Sequence, residues 1–146
     1  MFGTGFMQLG MKRETSVPPQ ALVVDDCEDI REIGRALVVN LGFEPVLAEN
    51  GEAALERFEE SRFAFVLMDC RMPICDGFEA ARRMRDIEKG RGVGPTPIIA
   101  VSAERDFAKL PALHAAGINA FLAKPVSTQA LRQKLDQLIP SYLARA

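Results

Sequence analysis

FAFVLMD, residues 63–69, is an apolar run that ends in a carboxylate. Such an uninterrupted run is typical of a strand buried on both faces of a parallel sheet. ALVVDD, residues 21–26, has the same form and ends in two carboxylates. Three more short strands are predicted over residues 45–48, 97–101 and 120–122. The chain therefore contains five predicted strands, and two of them stop at an acidic residue.

Helical patterns alternate with these strands. Apolar residues recur at helical spacing from Ile30 to Leu41, with Asp29 as the predicted cap and Gly42 as the end. Further helices are predicted after the Asn50-Gly51 turn, over residues 78–87, within residues 106–116 and over residues 131–139. Residues 89–96 are glycine-rich and predict a long exposed connection. Five strands that alternate with five helices require a parallel sheet covered on both faces.

Length and composition restrict the class of protein. With 146 residues the chain suits one domain, predicted over residues 21–146 after an N-terminal tail or linker at residues 1–20. The net charge of -2 and the lack of basic runs predict no nucleic-acid partner. No stretch approaches the roughly 20 apolar residues of a membrane span. The three cysteines lack zinc-site spacing and their odd number fits a reducing compartment, so a cytoplasmic protein is expected.

Polar side chains follow the predicted strands at one edge of the sheet. In parallel α/β folds the ligand site lies outside the carboxyl ends of the strands. Those ends carry Asp25, Asp26, Asp69, Ser102 and Lys124. Three carboxylates in one place repel each other, and a hard divalent cation relieves the repulsion. With Lys124 included the local charge is -2, which one Mg²⁺ ion cancels.

A carboxylate beside Mg²⁺ and an ammonium group can attack a phosphoryl donor and form an acyl phosphate. The Ser102 hydroxyl can donate a hydrogen bond to one phosphoryl oxygen, while Lys124 pairs with another. The residues at this edge therefore predict a phosphoacceptor site.

Four motifs in order resemble the receiver domain of two-component response regulators. They are the acidic pair at residues 25–26, MDCRMP with DG at residues 68–77, VSA at residues 101–103 and FLAKP at residues 121–125. The resemblance covers residues 21–139. The sequence around Asp69 and at residues 78–80 is most similar to that of receivers of hybrid histidine kinases.

The resemblance implies a flavodoxin-like, doubly wound (βα)5 three-layer sandwich with a central five-stranded parallel sheet. It implies a phosphorelay receiver that switches conformation in a Mg²⁺-dependent manner, and a signalling phosphoacceptor rather than an enzyme with a separate substrate. The implied partner is a histidine kinase or a histidine phosphotransferase protein, docked on the first helix near Ile30 and Ile33. A homodimer through the fourth and fifth helices is a further expectation.

The resemblance also assigns the metal ligands. Asp69 is the expected phosphoacceptor and a ligand of Mg²⁺. Asp26 is expected to bind the ion directly, Asp25 through water, and Arg71 through its main-chain oxygen.

Four further roles follow from the resemblance. Ser102 and Lys124 are expected to bind the phosphoryl group, and Phe121 is the expected aromatic switch. The side chains of Arg71 and Glu104 are expected to tune the lifetime of the phosphoryl group. Ser102 replaces the commoner threonine of the family, and Phe121 lacks the hydroxyl of the frequent tyrosine.

Other interpretations of the same residues remain. Taken alone, each polar residue at the strand ends is also typical of a helix cap, a turn residue or a solvated side chain. A dehalogenase-like magnesium phosphatase also uses an aspartate nucleophile, but it needs a second aspartate where this chain has Arg71. A receiver-like module that is never phosphorylated typically lacks one of the acidic residues or the lysine. A flavodoxin-like cofactor binder would need a less acidic turn than residues 25–28.

Overall fold

Five strands alternate with five helices in the computed structural model, which describes residues 18–70, 76–92, 94–103 and 110–139. The elements are β1 Gln20–Val24, α1 Glu28–Asn40, β2 Glu44–Ala48, α2 Gly51–Glu60, β3 Phe65–Asp69, α3 Gly77–Arg91, β4 Ile98–Ser102, α4 Leu110–Ala115, β5 Ala120–Ala123 and α5 Thr128–Leu138. The predicted alternation of strands and helices is confirmed.

All five strands are parallel, in the order β2-β1-β3-β4-β5. The chain passes from β1 outward to β2, returns to β3 and continues to the opposite edge. This reversal places the switch point of the sheet between β1 and β3, where doubly wound folds bind their ligands. The structure is the expected flavodoxin-like α/β sandwich.

Two hydrophobic layers lie on the two faces of the sheet. Alternate residues of each strand point to opposite faces, because side chains alternate along a strand. In β3, Val66 and Met68 pack in the layer under α2 and α3, whereas Phe65 and Leu67 pack in the layer under α1 and α5. The central strands are buried on both faces, which explains their continuous apolar sequence.

The start of α1 differs from the prediction. Asp29 as the cap is wrong, because α1 begins at Glu28 and its N-cap is Cys27. The Cys27 amide donates to the Asp25 carboxylate at 2.9 Å, so the chain turns into the helix earlier than expected. Asp29 lies inside the first turn, where a negative charge suits the helix dipole.

The end of α3 also differs. Residues 89–91 belong to the helix and not to the predicted connection, which starts at the left-handed cap Gly92 with φ 68°. Tertiary contacts extend the helix past Gly90. Glu88 is buried and accepts hydrogen bonds from Arg85 and from the Thr96 amide. Arg91 donates to two main-chain oxygens at the end of α2, so long-range bonds outweigh the low helix propensity of glycine.

Within the described ranges, no helix is both long enough and apolar enough to cross a lipid bilayer.

Candidate functional site

Three carboxylates meet at the carboxyl ends of β1 and β3. Asp25, Asp26 and Asp69 each place one oxygen within 4.8 Å of the others. The parallel register explains why Asp25 meets Asp69, because Val24 pairs with Met68 and each of these two residues is followed by an aspartate. Asp25 and Asp69 are buried, whereas Asp26 is exposed. The structure therefore brings together the acidic residues that the strand ends predicted.

Lys124 extends its ammonium group into this cluster. Its Nζ lies 3.5 Å from Asp69 Oδ1 and 3.9 Å from Asp25 Oδ2. The backbone fixes its position, since the Lys124 amide donates to the Ser102 carbonyl at 2.8 Å where β4 and β5 end. The lysine side chain is 35% exposed, so water weakens but does not abolish its attraction to the two carboxylates.

Burial raises the pKa of the Asp25 carboxyl, and the neighbouring Asp69 raises this pKa further. The hydrogen bond from the Cys27 amide and the charge of Lys124 lower the pKa, but less than burial raises it. An ionised Asp25 is therefore costly in the protein without a cation. A divalent ion at this place would remove that cost.

The turn after β1 is held by main-chain and side-chain bonds on both sides of Asp25. The Asp25 amide donates to the Ala48 carbonyl at 3.2 Å, and its carboxylate Oδ1 accepts from the Cys27 amide. Arg31 donates from Nη1 to the main-chain oxygen of Asp25 at 2.8 Å. Sequence reasoning missed Arg31, because only the turn into α1 brings it back to a residue six positions earlier.

Gly77 permits α3 to start directly against the end of β3. A Cβ atom at this position would lie 2.9 Å from the Asp69 carbonyl oxygen and 3.0 Å from Cys70 Cα. Asp76 caps the helix by accepting from the Glu79 amide at 2.8 Å. A larger residue at Gly77 would push α3 away from Asp69.

Ser102 and Phe121 lie on the same face of the sheet. Ala100 pairs with Phe121 and Ser102 pairs with Ala123, so the serine and the ring stand on neighbouring strands, two positions apart. Ser102 is buried at the end of β4. Phe121 is partly buried and packs against the hydrophobic layer under α2 and α3. This placement is compatible with the predicted coupling of the two side chains.

Arg71 and Glu104 lie outside the described residues. The predicted main-chain ligand and the predicted control of the phosphoryl lifetime therefore stay predictions.

The donor set fits Mg²⁺. This ion prefers oxygen ligands at about 2.0–2.1 Å in octahedral geometry, so opposite ligands stand roughly 4 Å apart. The three carboxylate oxygens, within 4.8 Å of one another, require only a small closure or one bridging water. Direct binding by Asp26 and Asp69, and binding by Asp25 through water, stay predictions.

Comparison with known proteins identifies the family. Residues 21–136 match the response regulator receiver domain family. The chain belongs to this family and is a receiver domain of two-component signalling.

Two relatives are sensor or hybrid kinases. The chain is 38% identical over 124 residues to the virulence sensor protein BvgS of Bordetella pertussis, covering 82% of this chain and 10% of BvgS. It is 34% identical over 116 residues to hybrid signal transduction histidine kinase E of Dictyostelium discoideum, covering 79% of this chain and 7% of that protein. The chain therefore spans a tenth or less of these two relatives, and the predicted resemblance to receivers of hybrid kinases is confirmed.

Two solved structures share the fold and a similar sequence. The receiver domain of sensor histidine kinase PA1611 from Pseudomonas aeruginosa PAO1 has a magnesium ion coordinated in its active site cleft. It has a TM-score of 0.75 and 33% identity, with 86% of this chain and 100% of that one covered. The receiver domain of Ssk1 from Saccharomyces cerevisiae was crystallised with the histidine phosphotransfer protein Ypd1. It has a TM-score of 0.76 and 27% identity, with 86% of this chain and 93% of that one covered.

Proposed function

We propose that this receiver domain accepts a phosphoryl group on Asp69 from a histidine kinase or a histidine phosphotransferase protein. One observation carries the proposal. Asp69 is 4% exposed at the end of β3, shares a cluster with two further carboxylates, and lies 3.5 Å from the Lys124 ammonium. A structural aspartate needs neither the two acidic neighbours nor the approach of a cation.

The proposed step is a phosphoryl transfer between two side chains. A carboxylate oxygen of Asp69 attacks the phosphorus of a phosphohistidine, the phosphorus–nitrogen bond breaks, and its electron pair stays on the partner's imidazole. Mg²⁺, when bound, neutralises negative charge on the phosphoryl oxygens and on the carboxylates. Lys124 pairs with one phosphoryl oxygen, and the Ser102 hydroxyl donates to another.

The conformational response would use the pair of strands that carries these groups. Ser102 moves toward the phosphoryl group, and the Phe121 ring turns into the space that this movement vacates. The position of both side chains on one face of β4 and β5 supports this coupling.

The proposed docking surface for the partner lies beside the acidic cluster. Ile30 and Ile33 on α1 are large apolar side chains that are 38% and 55% exposed. A cavity of about 330 Å³ runs from these residues past Pro125 and Val126 to Asp69. An apolar helix that carries a histidine could cover this surface and present its imidazole to Asp69. The complex of the similar receiver of Ssk1 with Ypd1 supports this class of partner.

The other expectations stand as parts of the same proposal. The domain acts as a signalling phosphoacceptor in the cytoplasm and turns over no separate substrate. Mg²⁺ is its cofactor, in keeping with the magnesium-bound receiver of PA1611. A homodimer through α4 and α5 stays a prediction.

Labelling with a small phosphodonor tests the proposal. Acetyl phosphate with Mg²⁺ should add one phosphoryl group, measured by intact-protein mass spectrometry. Asp69→Asn should abolish the addition, and a chelator should suppress it in the wild type. Asp86→Asn is the matched control, because it removes the same charge from an exposed position on α3. Undiminished labelling of the Asp69→Asn protein would refute the assignment.

A further inference from the structure

We propose that Arg31 is a positioning residue for the divalent cation site, and that it sets the affinity of this site by holding the peptide between Asp25 and Asp26. The inference rests on the proposed function, because it assumes that the acidic cluster binds Mg²⁺. The structural fact behind it is the hydrogen bond from Arg31 Nη1 to the main-chain oxygen of Asp25 at 2.8 Å.

This hydrogen bond acts on the peptide that orients Asp26. The Asp25 carbonyl and the Asp26 amide belong to one planar unit, so a partner that holds the carbonyl also fixes the direction in which Asp26 leaves the turn. Asp26 is exposed, and packing contributes little to holding its carboxylate beside the other two. Rotation of this peptide would carry the Asp26 carboxylate away from the cluster.

The start of α1 has no side-chain cap of its own. Cys27 is the N-cap and its side chain makes no capping hydrogen bond. The Asp25 carboxylate binds the Cys27 amide through Oδ1, while its Oδ2 faces Lys124. Arg31 therefore anchors the turn through a main-chain atom, and this bond occupies no carboxylate oxygen that a cation needs.

The location of Arg31 is unfavourable for the helix itself. It is the fourth residue of α1, near the positive end of the helix dipole, where a cation is disfavoured. Its charge-assisted bond to a carbonyl compensates for this location. In the part of the chain that the structure describes, no carboxylate forms an ion pair with Arg31. Its interaction at the site is with the backbone of the turn.

Positioning and simple electrostatics predict opposite results when Arg31 is removed. Loss of a positive charge near the cluster should by itself strengthen Mg²⁺ binding. Loss of the hydrogen bond should weaken it, because Asp26 is no longer held in place. Residues that orient metal ligands typically change metal affinity tenfold or more when they are replaced.

The experiment is an NMR titration of the ¹⁵N-labelled chain with Mg²⁺. Arg31→Met and Arg31→Gln should each raise the dissociation constant on the order of tenfold, since neither side chain offers a donor that reaches the Asp25 carbonyl. Arg31→Lys keeps a charge and a donor, and it should stay within about threefold of the wild type because only one nitrogen of Arg31 makes the bond. Without metal, the Asp26 and Cys27 amide resonances should shift in the Met and Gln variants.

Arg35→Met is the matched control. Arg35 lies one turn further along α1, is paired with Glu32 at 2.9 Å, and does not touch the turn. Its removal changes the net charge equally and should leave Mg²⁺ affinity unchanged or slightly higher. Because Arg31→Met and Arg31→Gln differ in polarity, either one that folds decides the question.

The possible failures are distinguishable. If the wild-type protein shows no Mg²⁺-dependent NMR shifts, both the proposed function and this inference are wrong. If the wild-type protein binds Mg²⁺ and the neutral Arg31 variants bind it equally well or more tightly, the inference alone is wrong. A weakening that lysine fails to relieve would show that the hydrogen bond is not the cause.

Discussion

Replacing Lys124 with methionine should tighten Mg²⁺ binding by at least about fivefold and should impair the response to phosphorylation. The substitution keeps the length of the side chain and removes its charge. In the structure the Lys124 ammonium lies 3.5 Å from Asp69 Oδ1 and 3.9 Å from Asp25 Oδ2. It therefore competes with a metal ion for the same carboxylates, although it is not a metal ligand.

The magnitude follows from these distances. A Mg²⁺ ion lies about 2 Å from a carboxylate oxygen that binds it. A Mg²⁺ ion bound to Asp69 and the Lys124 ammonium group beside Asp69 are therefore roughly 5 Å apart. Charges of +2 and +1 at that separation repel by roughly 1.7 kcal/mol in water. The water value is the lower bound, because the lysine side chain is only 35% exposed and both carboxylates are buried. Physiological salt reduces the repulsion to about 1 kcal/mol, which corresponds to a change of about fivefold in affinity.

Calorimetry or NMR titration measures the affinity, since the chain has no tryptophan for fluorescence. Lys89→Met is the matched control, because Lys89 is exposed on α3 and its removal changes the net charge equally. The amide shifts induced by acetyl phosphate report the response. Weaker Mg²⁺ binding in the Lys124 variant, or equal tightening in the control, would refute the reasoning.

Three further predictions concern the other groups at the site. Asp25→Asn should stabilise the metal-free protein at neutral pH. Because the pKa of Asp25 is raised in the folded state, the wild-type protein loses stability as pH rises through that pKa. Urea unfolding in the presence of a chelator should therefore give the Asn variant the larger free energy of unfolding at neutral pH, and this difference should disappear below pH 3.8. Ser102→Ala should still accept a phosphoryl group but shift the Phe121 amide less by NMR, and a full shift would place the coupling elsewhere. Arg71→Ala and Glu104→Ala should each shorten the phosphoryl lifetime in a dephosphorylation assay, and the double variant should add little. Additive effects would show that the two side chains act independently.

The sequence by itself determined the class of fold and predicted the chemistry of the site. Apolar runs at residues 21–24 and 63–68 are typical of strands buried on both faces. Parallel strands end at a common edge, so the aspartates after these runs had to share it. Residue type alone then predicted a hard cation and a phosphoryl group as ligands. These conclusions depend on local patterns, which a sequence displays directly.

Only the tertiary structure decided the distances and the contacts between segments far apart in the chain. The turn into α1 made Cys27 the cap in place of Asp29, and it brought Arg31 back onto the Asp25 carbonyl. Bonds from Arg91 to the end of α2 extended α3 beyond its predicted end at residue 87. The physical reason is the same in each case. Propensity acts over a few neighbouring residues, whereas these hydrogen bonds join backbone and side chains that come together only when the sheet and its helices have packed.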